Sequence, residues 1–353
     1  MKRTAFLLAV MALTALCGAG VPPKPTAQVV EVRKIWDAAP HNAFTDLVRW
    51  KERWWCAFRE GTGHVNYHGK LRIITSADGE KWESAYLMRD NFSDLRDAKL
   101  SVTPKNELMM VGAGAMHPPI PFRHQTLAWF SNDGREWSDA VKIGGTNEWL
   151  WRVTWHKGTA YSVGYRTGGA RGTRLYTSRD GRKFDVLVDN LFDRGYPNEH
   201  GLAFLPDDTA VCLLRRDGDA RTGENTAQLG VAKPPYKEWT WRDLGLYVGG
   251  PCLIRIPDGR LIAGGRRLMD PASDPSVPTH TEGQLKGRKM TAGRRCSLWE
   301  LDITSARLTE LVTFPSGGDT SYPGLVWHHG LLWVSYYSSH EGKTCIYLAK
   351  VKL

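Results

Sequence analysis

The sequence lacks any pair of closely spaced cysteines. Beyond Cys17, five cysteines remain, and they lie far apart along the chain: Cys56, Cys212, Cys252, Cys296 and Cys345. An odd, scattered set of this kind argues against a disulfide framework and against a zinc ribbon. Most of them have apolar neighbours, so we expect free thiols buried in a hydrophobic core.

Long apolar runs are also scarce. Only residues 5–16 form one, with Lys2 and Arg3 before it and small residues at 18–20 after it. This order is typical of a secretory signal peptide, and the run is too short to span a bilayer. We therefore expect residues 1–20 to be removed, leaving a secreted or periplasmic protein without a membrane span. A lipid anchor at Cys17 is the less favoured alternative, because Leu16 precedes it where a small residue is usual.

No Lys/Arg-rich tail or basic block accompanies the net charge of +10. Because the charge is spread along the chain, it argues against nucleic-acid binding. For an exported protein it favours an acidic oligosaccharide or polysaccharide as the partner. The fifteen tryptophans fit the same ligand class, since sugar rings stack on indole faces, although we expect more than half of them to be structural.

Amphipathic helix patterns are absent, whereas a short turn motif recurs three times. The motif Ser-x-Asp-Gly-x-x-aromatic occupies residues 76–82, 131–137 and 178–184. Asp-Gly supplies the positive φ of a tight hairpin turn, and the Ser and Asp side chains can cap its backbone N–H groups. We expect these turns to be structural rather than catalytic, with the aromatic residue packed between sheets.

A second repeat, two apolar strands joined by a turn, interleaves with the first. With the strands that follow, it divides the chain into six four-stranded units at 42–88, 95–144, 150–191, 198–245, 250–315 and 322–353. The last unit lacks one strand, which residues 29–36 can supply. The sequence therefore predicts an all-β fold, a single six-bladed β-propeller domain over residues 21–353 that is closed by its N-terminal strand.

In such a blade, the start of the innermost strand and the loop after the second strand lie on one face of the ring. The residues expected at the innermost-strand entries are His41, Asn42, Arg96, Asp97, Trp151, Arg152, Glu199, His200, Gly250, Pro251, Ser321 and Tyr322. Those expected in the second-strand loops include Arg59, Glu60, His64, His68, His117, Arg123, His124, Arg166, Arg215, Arg216, Arg266, Arg267, Tyr336 and Tyr337. Ionisable side chains crowded at one centre indicate a functional site.

The blade count, the Asp-Gly turns (the Asp-box motif) and the strand order resemble the sialidase superfamily over nearly the whole mature chain. Residues 198–216 resemble the blade that carries a glutamate and an arginine, which the resemblance maps onto Glu199 and onto Arg215 or Arg216. The resemblance of residues 294–308 adds a substrate arginine, Arg294 or Arg295, and that of residues 321–337 adds a catalytic tyrosine, Tyr322. In sialidases the tyrosine is the nucleophile, the glutamate activates it, and three arginines bind the substrate carboxylate.

Two departures from that pattern bear on the chemistry. The first blade opens with His41 where sialidases carry an arginine, and its second-strand loop carries His64 and His68 where they carry an acid/base aspartate. We therefore expect His64 and His41 to join Tyr322 and Glu199 in catalysis. The residues expected to bind the substrate are Arg96, Arg152, Arg166, Arg215, Arg216, Arg295, His200 and Trp151.

Three functions remain open at this point. One is an exo-glycosidase, in which Tyr322 attacks the anomeric carbon and a histidine protonates the leaving oxygen. Another is a polysaccharide lyase, in which histidine and tyrosine serve as base and acid while arginine neutralises a uronate carboxylate. The third is a non-catalytic glycan-binding propeller. We expect no cofactor and no resident metal, although a cation bridging the substrate carboxylate stays open.

Overall fold

The computed structural model describes residues 27–218, 225–269, 279–285 and 288–353. The expected leader, residues 1–20, lies outside them. The described residues form six antiparallel sheets, in agreement with the predicted all-β propeller. No helix long and apolar enough to cross a membrane occurs in these ranges.

Each sheet is one blade, and the blades follow one another in chain order. Blades 1 and 2 contain β2 (His41–Trp50), β3 (Arg53–Gly61), β4 (Lys70–Ser76), β5 (Glu83–Met88), then β6 (Ser93–Val102), β7 (Leu108–Met116), β8 (His124–Ser131) and β9 (Val141–Ile143). Blades 3 and 4 contain β10 (Glu148–Leu150), β11 (Thr154–His156), β12 (Thr159–Arg166), β13 (Thr173–Ser178), β14 (Asp185–Phe192), then β15 (Tyr196–Phe204), β16 (Ala210–Asp217), β17 (Gln228–Ala232) and β18 (Thr240–Asp243). Blade 5 contains β19 (Gly249–Arg255), β20 (Leu261–Met269), β21 (Thr279–Leu285), β22 (Arg288–Asp302) and β23 (Arg307–Thr313).

The sixth blade closes the ring with both ends of the chain. It contains β24 (Ser321–His328), β25 (Leu331–Ser338), β26 (Cys345–Lys352) and the N-terminal β1 (Gln28–Trp36). The last two are antiparallel neighbours, with Gln28 opposite Lys352. The predicted closure by residues 29–36 is confirmed. It leaves no blade incomplete, so the N-terminal strand removes the exposed sheet edge that β26 would otherwise present.

Apolar clusters between neighbouring blades hold the ring together. All five cysteines of the described residues are buried free thiols, as expected. The Asp-Gly turns contribute directly: Gly134 has φ 76°, and a Cβ there would lie 2.1 Å from the Trp55 ring of blade 1. Asp133 Oδ1 accepts the backbone N–H groups of Arg135 and Glu136 at 2.8 Å each. The turn therefore docks one blade against the next without facing the predicted site.

The innermost strand of every blade carries one extra residue at the same height. In blade 1, Ala43 pairs with Arg59 and Asp46 pairs with Ala57, so β2 advances by three residues while β3 advances by two. Equivalent irregularities lie at 96–99, 150–154, 197–200, 249–252 and 321–324. Such a β-bulge bends the strand and re-aims a side chain. Six bulges at one level thus direct one residue from each blade toward the centre of the ring.

Candidate active site

The β-bulges determine which residue of each innermost strand faces the centre of the ring. The positions concerned are Phe44, Asp97, Trp151, Glu199, Gly250 and Tyr322. Four of these residues have positive φ: Phe44 66°, Asp97 55°, Gly250 60° and Tyr322 54°. Non-glycine residues seldom adopt this region, and such strain concentrates at functional sites. In blade 1 the central residue is Phe44 and not His41, because the prediction counted from the strand entry and did not include the bulge.

Tyr322 and Glu199 form a buried pair. The Tyr322 hydroxyl donates a hydrogen bond of 2.6 Å to Glu199 Oε1. The other carboxylate oxygen, Oε2, accepts from Arg215 Nη1 at 2.7 Å and from the backbone N–H of Gly250 at 2.8 Å. Both oxygens are therefore engaged, which fixes the carboxylate against the phenol. The structure brings together three of the residues predicted from the sequence.

The electrostatic surroundings keep the Tyr322 phenol protonated at rest. Burial raises the pKa of Tyr322 well above its ordinary value, and the nearby carboxylates of Glu199 and Asp97 raise it further. Arg215 and Arg266 oppose that rise. The phenol can therefore act as a nucleophile only if a base removes its proton, and Glu199 is the base within hydrogen-bond distance.

Arg266 lies beside the same tyrosine. Its guanidinium carbon is 6.0 Å from the Tyr322 ring centroid, and the residue is 4% exposed. In the part of the chain that the structure describes, its Nε has no hydrogen-bond partner and no carboxylate lies within ion-pair distance of the side chain. Arg215 differs, because Glu199 and Asp217 both pair with it. Arg266 is thus a buried cation that no carboxylate of the described residues pairs with.

A second cluster joins three segments that are distant in sequence. Asp319 Oδ2 accepts hydrogen bonds from His41 Nε2 at 2.9 Å and from His64 Nδ1 at 2.7 Å. The hydroxyl of Tyr337 donates to Asp319 Oδ1 at 3.0 Å. Burial opposes ionisation of Asp319, but the hydrogen bonds from the two histidines hold its pKa below the ordinary value. Asp319 is therefore an anion that accepts from both imidazoles.

The shared carboxylate determines which histidine can exchange a proton with a ligand. His64 donates from Nδ1 to Asp319, so its Nε2 is left for a ligand, and its side chain is 53% exposed. His41 is 8% exposed at the side chain, and its Nδ1 has no partner among the described residues. Phe44 connects the cluster to the nucleophile pair, with ring centroids 5.0 Å from His64 and 5.2 Å from Tyr322. His64 is thus the accessible member.

The three groups of this cluster are also metal-ligand types. One ligand atom each from His41, His64 and Asp319 lies within 4.8 Å of the others, and two histidines with one carboxylate can bind a divalent transition metal. The hydrogen bonds of 2.7 and 2.9 Å already account for the arrangement. No step described below requires a metal ion.

Asp97 and Lys99 add two perturbed groups to the centre. Burial raises the pKa of Asp97 to about 6, and the charge of Glu199 adds to this rise. Burial lowers the pKa of Lys99 to about 8. The Lys99 ammonium lies 4.8 Å from the Trp151 ring and 5.2 Å from the Tyr322 ring, and it donates to the Thr45 carbonyl at 3.0 Å. Sequence analysis did not select Lys99, because it follows the bulge.

Several predicted substrate-binding residues lie elsewhere. Arg152 pairs with Asp46 at 2.9 Å and lines the opposite mouth of the ring together with residues 253–255. His200 is fully buried, and its Nε2 accepts from the backbone N–H of Val163 at 3.4 Å. Burial lowers the pKa of His200 to about 3, so it is a neutral core residue. For these two residues the prediction is wrong.

Arg215 and Arg216 point in opposite directions because adjacent residues of a strand alternate. Arg216 pairs with Asp243 of the outermost strand of its own blade at 2.7 Å, so the prediction fails for Arg216. Arg295 donates to the carbonyl of Ser316, and the arginine beside Tyr322 in blade 5 is Arg266.

The remaining predicted residues are near the centre or at its rim. Trp151 is buried with its ring centroid 5.2 Å from that of Tyr322. Arg96 contacts Asp94 at 2.7 Å and is 20% exposed at the side chain. Arg166 is 29% exposed and lies 3.9 Å from Asp189. Trp151 therefore packs at the centre beside Tyr322, whereas Arg96 and Arg166 already have acidic neighbours.

Asp319 is the residue that sequence analysis missed altogether. It belongs to neither predicted ring, since it precedes β24 in the connection from blade 5 to blade 6. Nothing in the local sequence around Asp319 distinguishes it from other turn aspartates. Arg266 was among the predicted loop residues but was not among the residues expected to bind the substrate.

Comparison with known proteins places the fold. No family model matches the sequence, and no curated protein does. A protein of unknown function from Dyadobacter fermentans has a TM-score of 0.76 at 20% identity, covering 93% of this chain and 100% of that one. The Penicillium chrysogenum alpha-L-arabinanase complexed with arabinobiose has 0.63 at 13%, covering 92% and 98%. The Trypanosoma rangeli sialidase in complex with sialic acid has 0.63 at 13%, covering 92% and 59%. The chain therefore has the same fold as these structures, a six-bladed β-propeller.

Proposed function

We propose that this protein is a glycoside hydrolase that cleaves the bond to an acidic sugar, with Tyr322 as nucleophile and Glu199 as its base. The observation that carries the proposal is the 2.6 Å hydrogen bond from the buried Tyr322 hydroxyl to Glu199. A structural tyrosine would gain as much from a backbone carbonyl, without placing a carboxylate in the core. Proteins with this fold include an arabinanase and a sialidase, and this analogy supports the reaction class.

In the first step, Glu199 Oε1 takes the phenolic proton while Tyr322 Oη forms a bond to the anomeric carbon. The bond from that carbon to the leaving oxygen breaks, and a general acid protonates the oxygen. In the second step, water attacks the same carbon and gives a proton to the conjugate base of that general acid, while the bond to Tyr322 Oη breaks and Tyr322 recovers its proton from Glu199. Two displacements at one carbon predict retention of anomeric configuration.

The acidic character of the substrate is supported by Arg266. This buried guanidinium has no acidic partner among the described residues, and a buried cation without a counter-charge is costly. A substrate carboxylate could pair with it in bidentate fashion. Arg215, although held by Glu199 and Asp217, lies close enough to the Tyr322 phenol to assist.

His64 is the proposed proton donor. Its accessible imidazole and its bond to Asp319 give the geometry of a positioned acid/base group. His41 shares Asp319 with it and would hold that carboxylate in place. Asp97 is the alternative donor, because a carboxyl group with a pKa of about 6 retains its proton under mildly acidic conditions.

A polysaccharide lyase is the second candidate. Two features favour it: the accessible His64 imidazole and Arg266, which has no acidic partner among the described residues. A base and a carboxylate-neutralising cation are what β-elimination at a uronic acid requires. In that reaction the Tyr322–Glu199 pair would serve as acid rather than as nucleophile.

Product analysis distinguishes the glycoside hydrolase from the polysaccharide lyase. The purified protein is incubated with α-sialosides, with oligouronides and with neutral arabinan, and products are measured by mass spectrometry. Products whose summed mass exceeds that of the substrate by one water indicate hydrolysis, and unsaturated products whose summed mass equals that of the substrate indicate elimination. Tyr322→Phe should abolish hydrolysis, while Tyr161→Phe, the same change in blade 3, should not. No product from any acidic glycan, or hydrolysis that survives Tyr322→Phe, would refute the assignment.

Export is a further part of the proposal. The apolar run at residues 5–16, with its preceding charges, favours cleavage near residue 20. N-terminal sequencing of the protein from the periplasm or medium of an expressing bacterium would identify the first residue. A mature protein that still begins at Met1 would contradict it.

A further inference from the structure

An exposed aromatic surface lies on the same face of the ring as the site, across blades 1 and 2. Tyr67 is 56% exposed and Phe92 is 66% exposed. The Tyr67 ring stacks on His117, with centroids 3.6 Å apart and planes 11° from parallel. The backbone N–H of His117 donates to the carbonyl of Phe92 at 2.9 Å. We call Tyr67, His117 and Phe92 the aromatic platform.

The platform is not explained by core packing. Large exposed hydrophobic side chains are few among the described residues, and two of them belong to it. His117 is 8% exposed, and its Nε2 has no hydrogen-bond partner among the described residues. Leaving a buried nitrogen unsatisfied costs stability, so the placement of Tyr67 over this ring suits a ligand better than it suits the fold.

A cleft of about 400 Å³ adjoins the platform. Its lining combines the Tyr67 ring with hydrogen-bonding and charged side chains, among them Asn66, His68 and Lys70. One apolar ring beside several polar groups is the composition that a sugar needs, because its faces are apolar and its edges carry hydroxyls. Lys70 adds a positive charge to this lining for an acidic glycan, whereas Glu60 of the same lining is paired with Arg72 at 3.0 Å.

The loop that carries Tyr67 is held rigidly. Arg59, which is fully buried, donates to the Gly63 carbonyl at 2.8 Å and to the Asn66 side chain at 2.7 Å. It also pairs with Asp94 of blade 2 at 2.7 Å. The same loop carries His64 only three residues before Tyr67, a chain reach of about 11 Å at most. The platform is therefore fixed at a short distance from the proposed proton donor.

We propose that the aromatic platform is a second sugar subsite, which binds a ring of the glycan beyond the bond that is cleaved. The inference rests on the proposed function for its substrate class. A ring stacked on Tyr67 would extend the substrate from the centre across blade 1, past His64. The protein would then prefer acidic oligosaccharides to single sugars, with affinity that rises with chain length.

The test uses oligogalacturonides and α2,8-linked sialic acid oligomers of one to four units as probes. Dissociation constants are measured by calorimetry on the full chain carrying Tyr322→Phe, so that turnover does not interfere. With Tyr67 intact, affinity for at least one series should rise from one to three units. Tyr67→Ala should weaken binding of the longer members about tenfold, or about 1.4 kcal/mol, and leave the single sugar unchanged.

Two variants control for folding and for general surface effects. Tyr67→Phe keeps the stacking ring and should restore the length dependence. Val186→Ala removes an exposed side chain of blade 3 and should change nothing. A length dependence that persists in Tyr67→Ala, or no binding of either series, would overturn the subsite. Length-dependent binding without any product from the unmodified protein would support the subsite and reject the hydrolase.

Discussion

His64 and Asp319 are 255 residues apart in sequence, yet His64 Nδ1 lies 2.7 Å from Asp319 Oδ2. The contact joins the second-strand loop of blade 1 to the connection before blade 6, across the point where the ring closes. The closure by β1 therefore does more than complete a sheet. It brings the first and last blades into the register that gives His64 its carboxylate partner.

Asp319→Asn should reduce turnover of the cognate glycan by about 100-fold, within the range attributed to positioned acid/base groups. The amide can no longer accept from both His41 and His64 as an anion, so the orientation and protonation of His64 change. Steady-state kinetics measure the loss. Asp208→Asn, which alters a similar pair with His156 at 2.9 Å on the opposite side of the ring, is the matched control and should keep full activity. Equal activity in both variants would mean that Asp319 is only structural.

His64→Ala should lose about 10²–10⁴-fold in rate while remaining folded. Because the His64 side chain is half exposed, added imidazole should reach the vacated space and restore part of the activity. His41→Ala should also lose activity, since Asp319 is then held by one histidine only. Imidazole should not rescue it, because that position is buried. Near-normal turnover in His64→Ala would indicate that Asp97, rather than His64, donates the proton.

The architecture was predictable because it repeats. Asp-Gly turns and paired apolar strands recur often enough to count blades, and the observed strands of blade 1, His41 to Met88, match the predicted unit 42–88 closely. Closure by residues 29–36 followed from the missing strand of the last unit. Periodicity of this kind reflects local physics, namely turn chemistry and strand alternation, which a single sequence displays directly.

The site was predictable only where it follows from blade position. Tyr322 and Glu199 lie in the bulged entries of their innermost strands, and Arg215 lies in the second strand of the Glu199 blade, so the repeat placed all three on the site face. The sequence pattern does not reveal the β-bulge in β2, which places Phe44 rather than His41 at the centre of the ring. Asp319 has no place in the repeat, since its role arises from contacts between distant loops, which local patterns do not contain.

Asp133→Ala should lower the melting temperature by a few degrees and leave the activity per folded molecule unchanged. The carboxylate accepts two backbone N–H groups in the turn, and losing them frees the turn that docks against Trp55. Thermal unfolding followed by circular dichroism measures the effect. Asp139→Ala, an exposed neighbour, should show none of it. A stable but inactive Asp133→Ala protein would contradict a structural role for the motif.

The pH dependence of stability should reveal Asp97. Its folded pKa of about 6 exceeds the ordinary 3.8, so between these values the folded state keeps a proton that the unfolded state has lost. The contribution of Asp97 to the free energy of unfolding is fully present below about pH 4 and is lost as the pH rises through about 6. The shift corresponds to about 3 kcal/mol. The charged groups that face Asp97 are Lys99, Glu199, Arg96 and His64, so the comparison must isolate Asp97 itself.

Asp97→Asn provides that comparison. Its free energy of unfolding relative to the unmodified protein should increase by a few kcal/mol between pH 4 and pH 7, as measured by denaturant titration at several pH values. A constant difference across this range would show that Asp97 ionises normally in the folded protein.

Gly250→Ala should impair catalysis through Tyr322. Gly250 has φ 60°, its N–H donates to Glu199, and a Cβ there would lie 2.9 Å from the Tyr322 ring and 2.8 Å from Ser321 Oγ. The methyl group must displace the tyrosine from Glu199, and a shift of about 1 Å can cost 10²-fold in rate. We therefore expect kcat to fall at least tenfold.

Gly158→Ala is the matched control, because Gly158 has φ 77° and no atom within 4 Å of the added Cβ. Both variants carry the same backbone strain, so both should lose some stability, but only Gly250→Ala should lose activity. Equal kinetics in the two would mean that the position of the Tyr322 ring does not limit the reaction.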